Sequence, residues 1–202
     1  MKKHQPGDGI LMTRNCLFTL LLIASAANAS FAGTIAGKVS PGQSVVYVEA
    51  IPGKTFPPPT QDATMGQKNL AFAPHILVVQ QGTTVQFVNN DNEQHNVFWP
   101  SVGGNKKAAH NVGTWPQGEK RPFKFDQPGV VPLFCNIHAE MSGFIIVSPT
   151  PYFAQTDAAG NYKIDNVQDG KYNVVAWHEG MKPQTQAVSV SGTGRAEFTL
   201  SK

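Results

Sequence analysis

Cys135-Asn136-Ile137-His138-Ala139-Glu140-Met141 places a thiol, an imidazole and a thioether within seven residues. Each is a soft or borderline metal ligand. With one distant histidine they complete a His₂Cys trigonal set with a weak axial Met, the donor set of a blue-copper electron-transfer centre. Cu(I) favours sulfur and Cu(II) favours imidazole, so a rigid site offering both exchanges electrons with little rearrangement. Zinc is the first rival, but structural zinc sites are usually closed by four strong N or S ligands, often paired cysteines. A catalytic Cys-His pair is the second, yet no general base with an orienting partner is evident beside Cys135 and His138. A lone Cys or His is more often a packing or surface residue; the joint pattern, directly after residues 130–134 (VVPLF), argues against that here.

Two stretches compete to supply the distant imidazole. His95-Asn96-Val97 is followed by Trp99-Pro100, and His110-Asn111-Val112 by Trp115-Pro116. His95 follows an alternating run, residues 83–89 (TTVQFVN), through the polar turn 89–94 (NNDNEQ). His110 emerges from an Ala-, Lys- and Gly-rich stretch with no strand behind it, so the ligand is expected to be His95 and His110 a loop residue. His75 reads as a rim residue and His178, beside Trp177, as packing. Lys106, Lys107, Lys120, Arg121 and Lys124 form a local basic cluster, a solvated face or a surface that steers an acidic redox partner.

The elements that must hold these residues are strands. The 15 prolines and 19 glycines in 202 residues mark a turn-rich chain, and no segment shows helical periodicity. Strand patterns stand at 33–39, 44–50, 76–80, 83–89, 121–125, 130–135 and 143–147, and again at 162–164, 172–177, 187–190 and 196–200. Residues 51–68 read as a Pro-rich linker and 101–117 as irregular. The fold class is all-β, with two sheet-rich units.

The first residues belong to no fold. Lys2, Lys3 and Arg14 precede a short apolar run, residues 16–27, and small-x-small cleavage points follow at Ala29 and Ala32. Residues 1–29 are therefore expected to be a signal peptide, starting at Met1 or Met12, and the protein periplasmic with no membrane insertion. Without the leader, 13 basic residues face 12 acidic ones, a net charge of +1 that gives no reason to expect a nucleic-acid partner. Cys135 is then the single remaining cysteine, unable to form an internal disulfide.

Residues 66–148 resemble a cupredoxin of the plastocyanin, amicyanin and pseudoazurin kind. The pattern Val85-x-Phe87-x-Asn89-x-Asp91-x-x-x-His95-Asn96-Val97 resembles that family's first-ligand strand and loop. Phe125-Asp126-x-Pro128-Gly129 through Cys135-x-x-His138-x-x-Met141 resembles its ligand loop. The resemblance implies a Greek-key β-sandwich holding one type 1 copper, with His95, Cys135, His138 and Met141 as ligands. Asn96 is implied as an outer residue hydrogen-bonding near the cysteine. Thr156-Asp157-x-x-Gly160-x-Tyr162-x-Ile164 and Gly170-x-Tyr172-x-Val174 resemble the carboxypeptidase-regulatory or transthyretin-like β-sandwich. That module's opening strands stand at Gly37-Lys38-Val39 and residues 45–48, so residues 33–60 and 150–202 are expected to form one discontinuous sandwich around the cupredoxin. Some exported proteins with both parts are methylamine-utilisation-like.

The implied function is a non-enzymatic shuttle of single electrons between redox proteins, such as a c-type cytochrome or a periplasmic dehydrogenase. Copper binding or delivery without electron transfer is the alternative. An oxidase or nitrite reductase would need further copper centres, and six histidines, one of them in the leader, are too few to build them.

Overall fold

The computed structural model describes residues 1–2 and 32–202. Beyond Met1 and Lys2, the leader read at residues 1–29 and its Ala29 cleavage point fall outside the described residues. Ala32, the other cleavage point, opens the first strand.

Strands β1 (Ala32–Ser40) and β2 (Val45–Val48) come first. Then follow β3 (Ala63–Lys68), β4 (Ala71–Ala73), β5 (Ile76–Gln80), β6 (Thr83–Asn89), β7 (His95–Trp99), β8 (His110–Trp115), β9 (Lys120–Phe125), β10 (Gly129–Phe134) and β11 (Ser142–Ser148). The chain closes with β12 (Phe153–Gln155), β13 (Asn161–Gln168), β14 (Gly170–Trp177), β15 (Gln184–Val190) and β16 (Thr193–Thr199). The fold is all-β as expected from the sequence.

These strands make four stacked sheets. The four-stranded sheet β4-β3-β6-β9 faces the five-stranded sheet β5-β11-β10-β7-β8 across a core of Met65, Val85, Phe87, Trp99, Phe125, Leu133 and Ile145. In β6 the alternation is plain: Thr83, Val85, Phe87 and Asn89 point inward and the residues between them are half-exposed. The sheets β12-β2-β14-β15 and β13-β1-β16 enclose a second core around Ile35, Val46, Val174, Val188 and Phe198. The N-terminal strands thus ladder with the C-terminal ones, β1 lying antiparallel to β13 and parallel to β16.

A third apolar cluster joins the two halves. Val46 and Val48 of β2 face the second core, whereas Val45 and Tyr47 turn the other way and meet Ile76, Val130, Phe144 and Ile146 on the outer face of the five-stranded sheet. Trp177 packs there on Phe144, ring centroids 5.2 Å apart. His75 pairs with Glu179 at 2.7 Å across the same boundary. A strand buried on both faces reads as an unbroken apolar run, and VVYV does.

Two sequence expectations need correction. The segment expected to be irregular, residues 101–117, contains a 3₁₀ turn at Lys106–Ala108 and the strand β8, so His110 begins a strand. β8 is an edge strand with one buried residue, Trp115, and a break in register beside Val97/Phe98, so it shows no apolar alternation to read. The expected linker likewise ends early, because β3 pairs with β6 from Ala63 onward. Its inward-facing positions are Met65 and a fully buried Gln67, and the polar one hides the pattern.

Candidate metal centre

The site is assembled at one end of the first sandwich. β7 and β10 are neighbours in the five-stranded sheet, paired at Phe98 and Phe134, which brings the start of β7 beside the end of β10. His95 opens β7, Cys135 directly follows β10, and His138 and Met141 lie on the loop into β11. His138 Nδ1 stands 3.2 Å from His95 Nδ1 and 3.9 Å from Cys135 Sγ, and these three residues are grouped tightly enough to hold one ion. His95 is 0% exposed and Cys135 4%, while His138 is half-buried and forms the open side. Met141 is buried in the core cluster that contains Cys135, and its N–H donates to the His138 carbonyl at 3.1 Å, closing the turn between them.

The donor set fits a bound cation. Ligands of one divalent first-row ion sit about 2.0–2.1 Å (N) or about 2.3 Å (S) from it, so two nitrogens cannot be more than about 4.2 Å apart, nor a nitrogen and a sulfur more than about 4.4 Å. The separations of 3.2 and 3.9 Å satisfy both limits. The tautomers agree. His95 Nε2 lies 2.8 Å from Asp91 Oδ2, so its N–H is donated there and the Nδ1 lone pair faces His138. Two ring nitrogens aimed at each other repel unless a proton or a cation sits between them.

Asp91 is the residue sequence reasoning left without a role. Its carboxylate also accepts backbone N–H bonds from Asn69 at 2.6 Å and Leu70 at 3.0 Å. These two residues form the turn between β3 and β4 with φ of 54° and 56°, and a leucine in that left-handed region costs about 1–2 kcal/mol. Burial alone would push the Asp91 carboxyl up, but the bonds from Leu70, His95 and Asn69 together outweigh it and hold the group below its usual 3.8. Asn89 shapes the turn from inside, accepting from Asp91 N–H and donating to the carbonyls of Glu93 and Trp115. The sequence signal was an Asp four residues before the histidine in a polar turn.

Asn96 ties the cysteine loop to both neighbouring strands. Its backbone N–H points at Cys135 Sγ at 3.4 Å, and its side-chain oxygen accepts from Asn136 N–H at 3.4 Å. Its amide donates to Asn111 Oδ1 at 2.9 Å and to the Gly113 carbonyl at 2.7 Å. Gln67 of β3 donates to the Asn96 carbonyl at 3.3 Å. Neither Asn111 nor Gln67 stands out in the sequence, because both reach the site from strands that lack apolar alternation.

The other histidines lie apart from the cluster. His110 is exposed and packs against both Trp99 and Phe123, with ring centroids 5.4 and 4.7 Å away. His75 is held by Glu179, and His178 Nδ1 contacts the Glu179 carbonyl at 2.7 Å.

Residues 60–148 match the family model of copper binding proteins, plastocyanin/azurin family, and residues 143–201 match that of the carboxypeptidase regulatory-like domain. A plastocyanin from Scenedesmus fuscus is 33% identical over 85 residues, spanning 39% of this chain and 87% of that protein. Among solved structures, a reduced Cu(I) form of an amicyanin variant is 21% identical, with 43% of this chain and 82% of that one covered at a TM-score of 0.40. A purple cupredoxin from Nitrosopumilus maritimus is 25% identical over 43% of this chain and all (100%) of its own, at a TM-score of 0.38. The chain carries a carboxypeptidase regulatory-like domain and belongs to the plastocyanin/azurin family of copper-binding proteins.

Proposed function

We propose that the chain is an exported type 1 copper protein that passes single electrons between redox proteins. In this reading one copper per chain is held by His95, Cys135 and His138, with Met141 as axial ligand and Asn96 as the outer residue that fixes the cysteine. The observation that carries it is the His-Cys-His cluster, in which two Nδ1 atoms and a thiol converge on one point. Bound there, copper would supply a one-electron Cu(II)/Cu(I) couple.

The residues would do the rest. Asp91 orients His95 and holds its proton on Nε2, and the Asn96 N–H supports the thiolate. Met141 and His95 are buried and keep water from the site, while half-buried His138 is its open side. Ile137 and Leu70, exposed by 47% and 40%, give that end an apolar rim, and the redox partner is a protein such as a c-type cytochrome or a periplasmic dehydrogenase. Copper delivery would call for ligands that an acceptor protein can reach, and Met141 at 1% exposure is not one. We read residues 33–60 and 150–202 as one sandwich carrying the cupredoxin, 66–148, as an insertion, and residues 1–29 as the export signal to the periplasm.

The test is the spectrum of the copper-loaded protein. A strong thiolate-to-copper absorption, the matching EPR signal and reversible voltammetry are expected. A folded, colourless Cu(II) protein would refute the reading.

A further inference from the structure

The two His-Asn-Val phrases lie face to face. β7 and β8 pair antiparallel so that His95 opposes Trp115 and Trp99 opposes His110. Each tryptophan thus sits across from the other phrase's histidine. One end of this ladder is the metal centre; the other opens on a cleft of 350 Å³ lined by Trp99, Lys107, His110, Phe123 and Lys124 among others. β8 is the outermost strand of its sheet and β9 the outermost strand of the facing one, and the two edges run side by side.

This seam collects the positive charge of the first sandwich. Lys106, Lys107, Lys120, Arg121 and Lys124 lie along it with two acids, Glu119 and Asp126, which pair with Arg121 at 2.8 Å and Lys124 at 2.9 Å. Among the described residues no carboxylate pairs with Lys106, Lys107 or Lys120. The acids of the metal end are Asp91 and Glu93, in the β6–β7 turn, and Glu140, in the ligand loop. At the seam's metal end the Arg121 guanidinium sits 5.7 Å over the ring of Trp115, which is 1% exposed and the cross-strand neighbour of His95. Directly opposed side chains in an antiparallel pair have Cβ atoms only about 4.5–5.5 Å apart.

We propose that the β8–β9 seam is the docking surface for an acidic redox protein, with Trp115 as the bridge between that partner and His95. This rests on the electron-transfer reading above. The charge of the seam attracts such a partner, while Asp91, Glu93 and Glu140 disfavour its approach at the apolar His138 end. One electron crosses per encounter, leaving the partner oxidised and the copper centre reduced, or the reverse; no proton or bond changes hands.

The probe is an acidic c-type cytochrome, with a basic one as control, against the full mature chain. Amide shift changes in the metal-free protein are expected on β8 and β9. In the copper-loaded protein the rate with the acidic cytochrome should fall as salt rises, and Lys107→Glu/Lys120→Glu should lower it about ten-fold. The same variant should keep its colour and potential and react faster with the basic cytochrome. Trp115→Leu should slow transfer without moving the shift map, and Trp115→Phe should restore it. Shifts confined to Ile137, His138 and Leu70, or a rate indifferent to the charge reversal, would overturn the proposal. Loss of the copper spectrum in the wild-type protein would instead overturn the parent reading and leave the metal-free shift map standing.

Discussion

Replacing Asp91 with Ala tests whether the metal centre is held from outside its ligands. The carboxylate receives three donors at 2.6, 2.8 and 3.0 Å: Asn69 N–H, His95 Nε2 and Leu70 N–H. The two turn amides reach water once the carboxylate is gone, so their loss costs little. His95 is 0% exposed and has no such recourse. Leaving a buried donor unsatisfied costs about 1–3 kcal/mol, and losing an outer partner of a ligating histidine weakens metal binding about 10–100-fold. A ten-fold change is about 1.4 kcal/mol, so the two losses are of similar size. The free His95 ring also gains access to the wrong tautomer, with its proton on Nδ1. Copper titration with competing chelators, alongside thermal melts of the metal-free protein, reads both effects. Asp91→Asn, which keeps one acceptor oxygen, should fall between wild type and Asp91→Ala. Unchanged copper affinity in Asp91→Ala, with the fold intact, would refute this account of the centre.

His95→Ala should abolish the thiolate-to-copper absorption, while His110→Ala should leave it, because His110 lies at the far end of the β7–β8 ladder. Gly37→Ala should destabilise the second sandwich severely, since an added Cβ would fall on the Ala196 carbonyl of the adjacent strand; a melting temperature unchanged from wild type would contradict the β1–β16 register. Asp157 is held below 3.8 by the side-chain and backbone N–H groups of Asn161. A depressed carboxyl stabilises the fold above its unfolded value and loses that contribution as pH falls through the lower folded value. Melts of the metal-free protein should therefore show a weaker acid dependence below about pH 4 in Asp157→Ala than in wild type.

The ligand loop was legible in the sequence because its chemistry is local: Cys135, His138 and Met141 fall on one loop between two strands that read as apolar runs, GVVPLF and SGFIIVS. His95 was legible because β6 alternates cleanly before it. The all-β class followed from the same patterns and from the turn residues between them. What the sequence could not convey lies on polar or edge strands. β3 turns Gln67 inward and β8 buries one residue, so neither shows a period, although both deliver side chains that grip Asn96. Asp91 acts on His95 through a turn whose shape is set by the amides of Asn69 and Leu70, more than twenty residues upstream. Strand order alone decided that the repeated phrase is a ladder, with each histidine across from the other's tryptophan. Residue types along the chain thus determined what chemistry is available; hydrogen bonding between strands far apart in sequence decided which side chains share one end of the sandwich. A ligand's immediate neighbours follow from spacing, but its outer partners depend on register, and register is fixed only when the sheets pack.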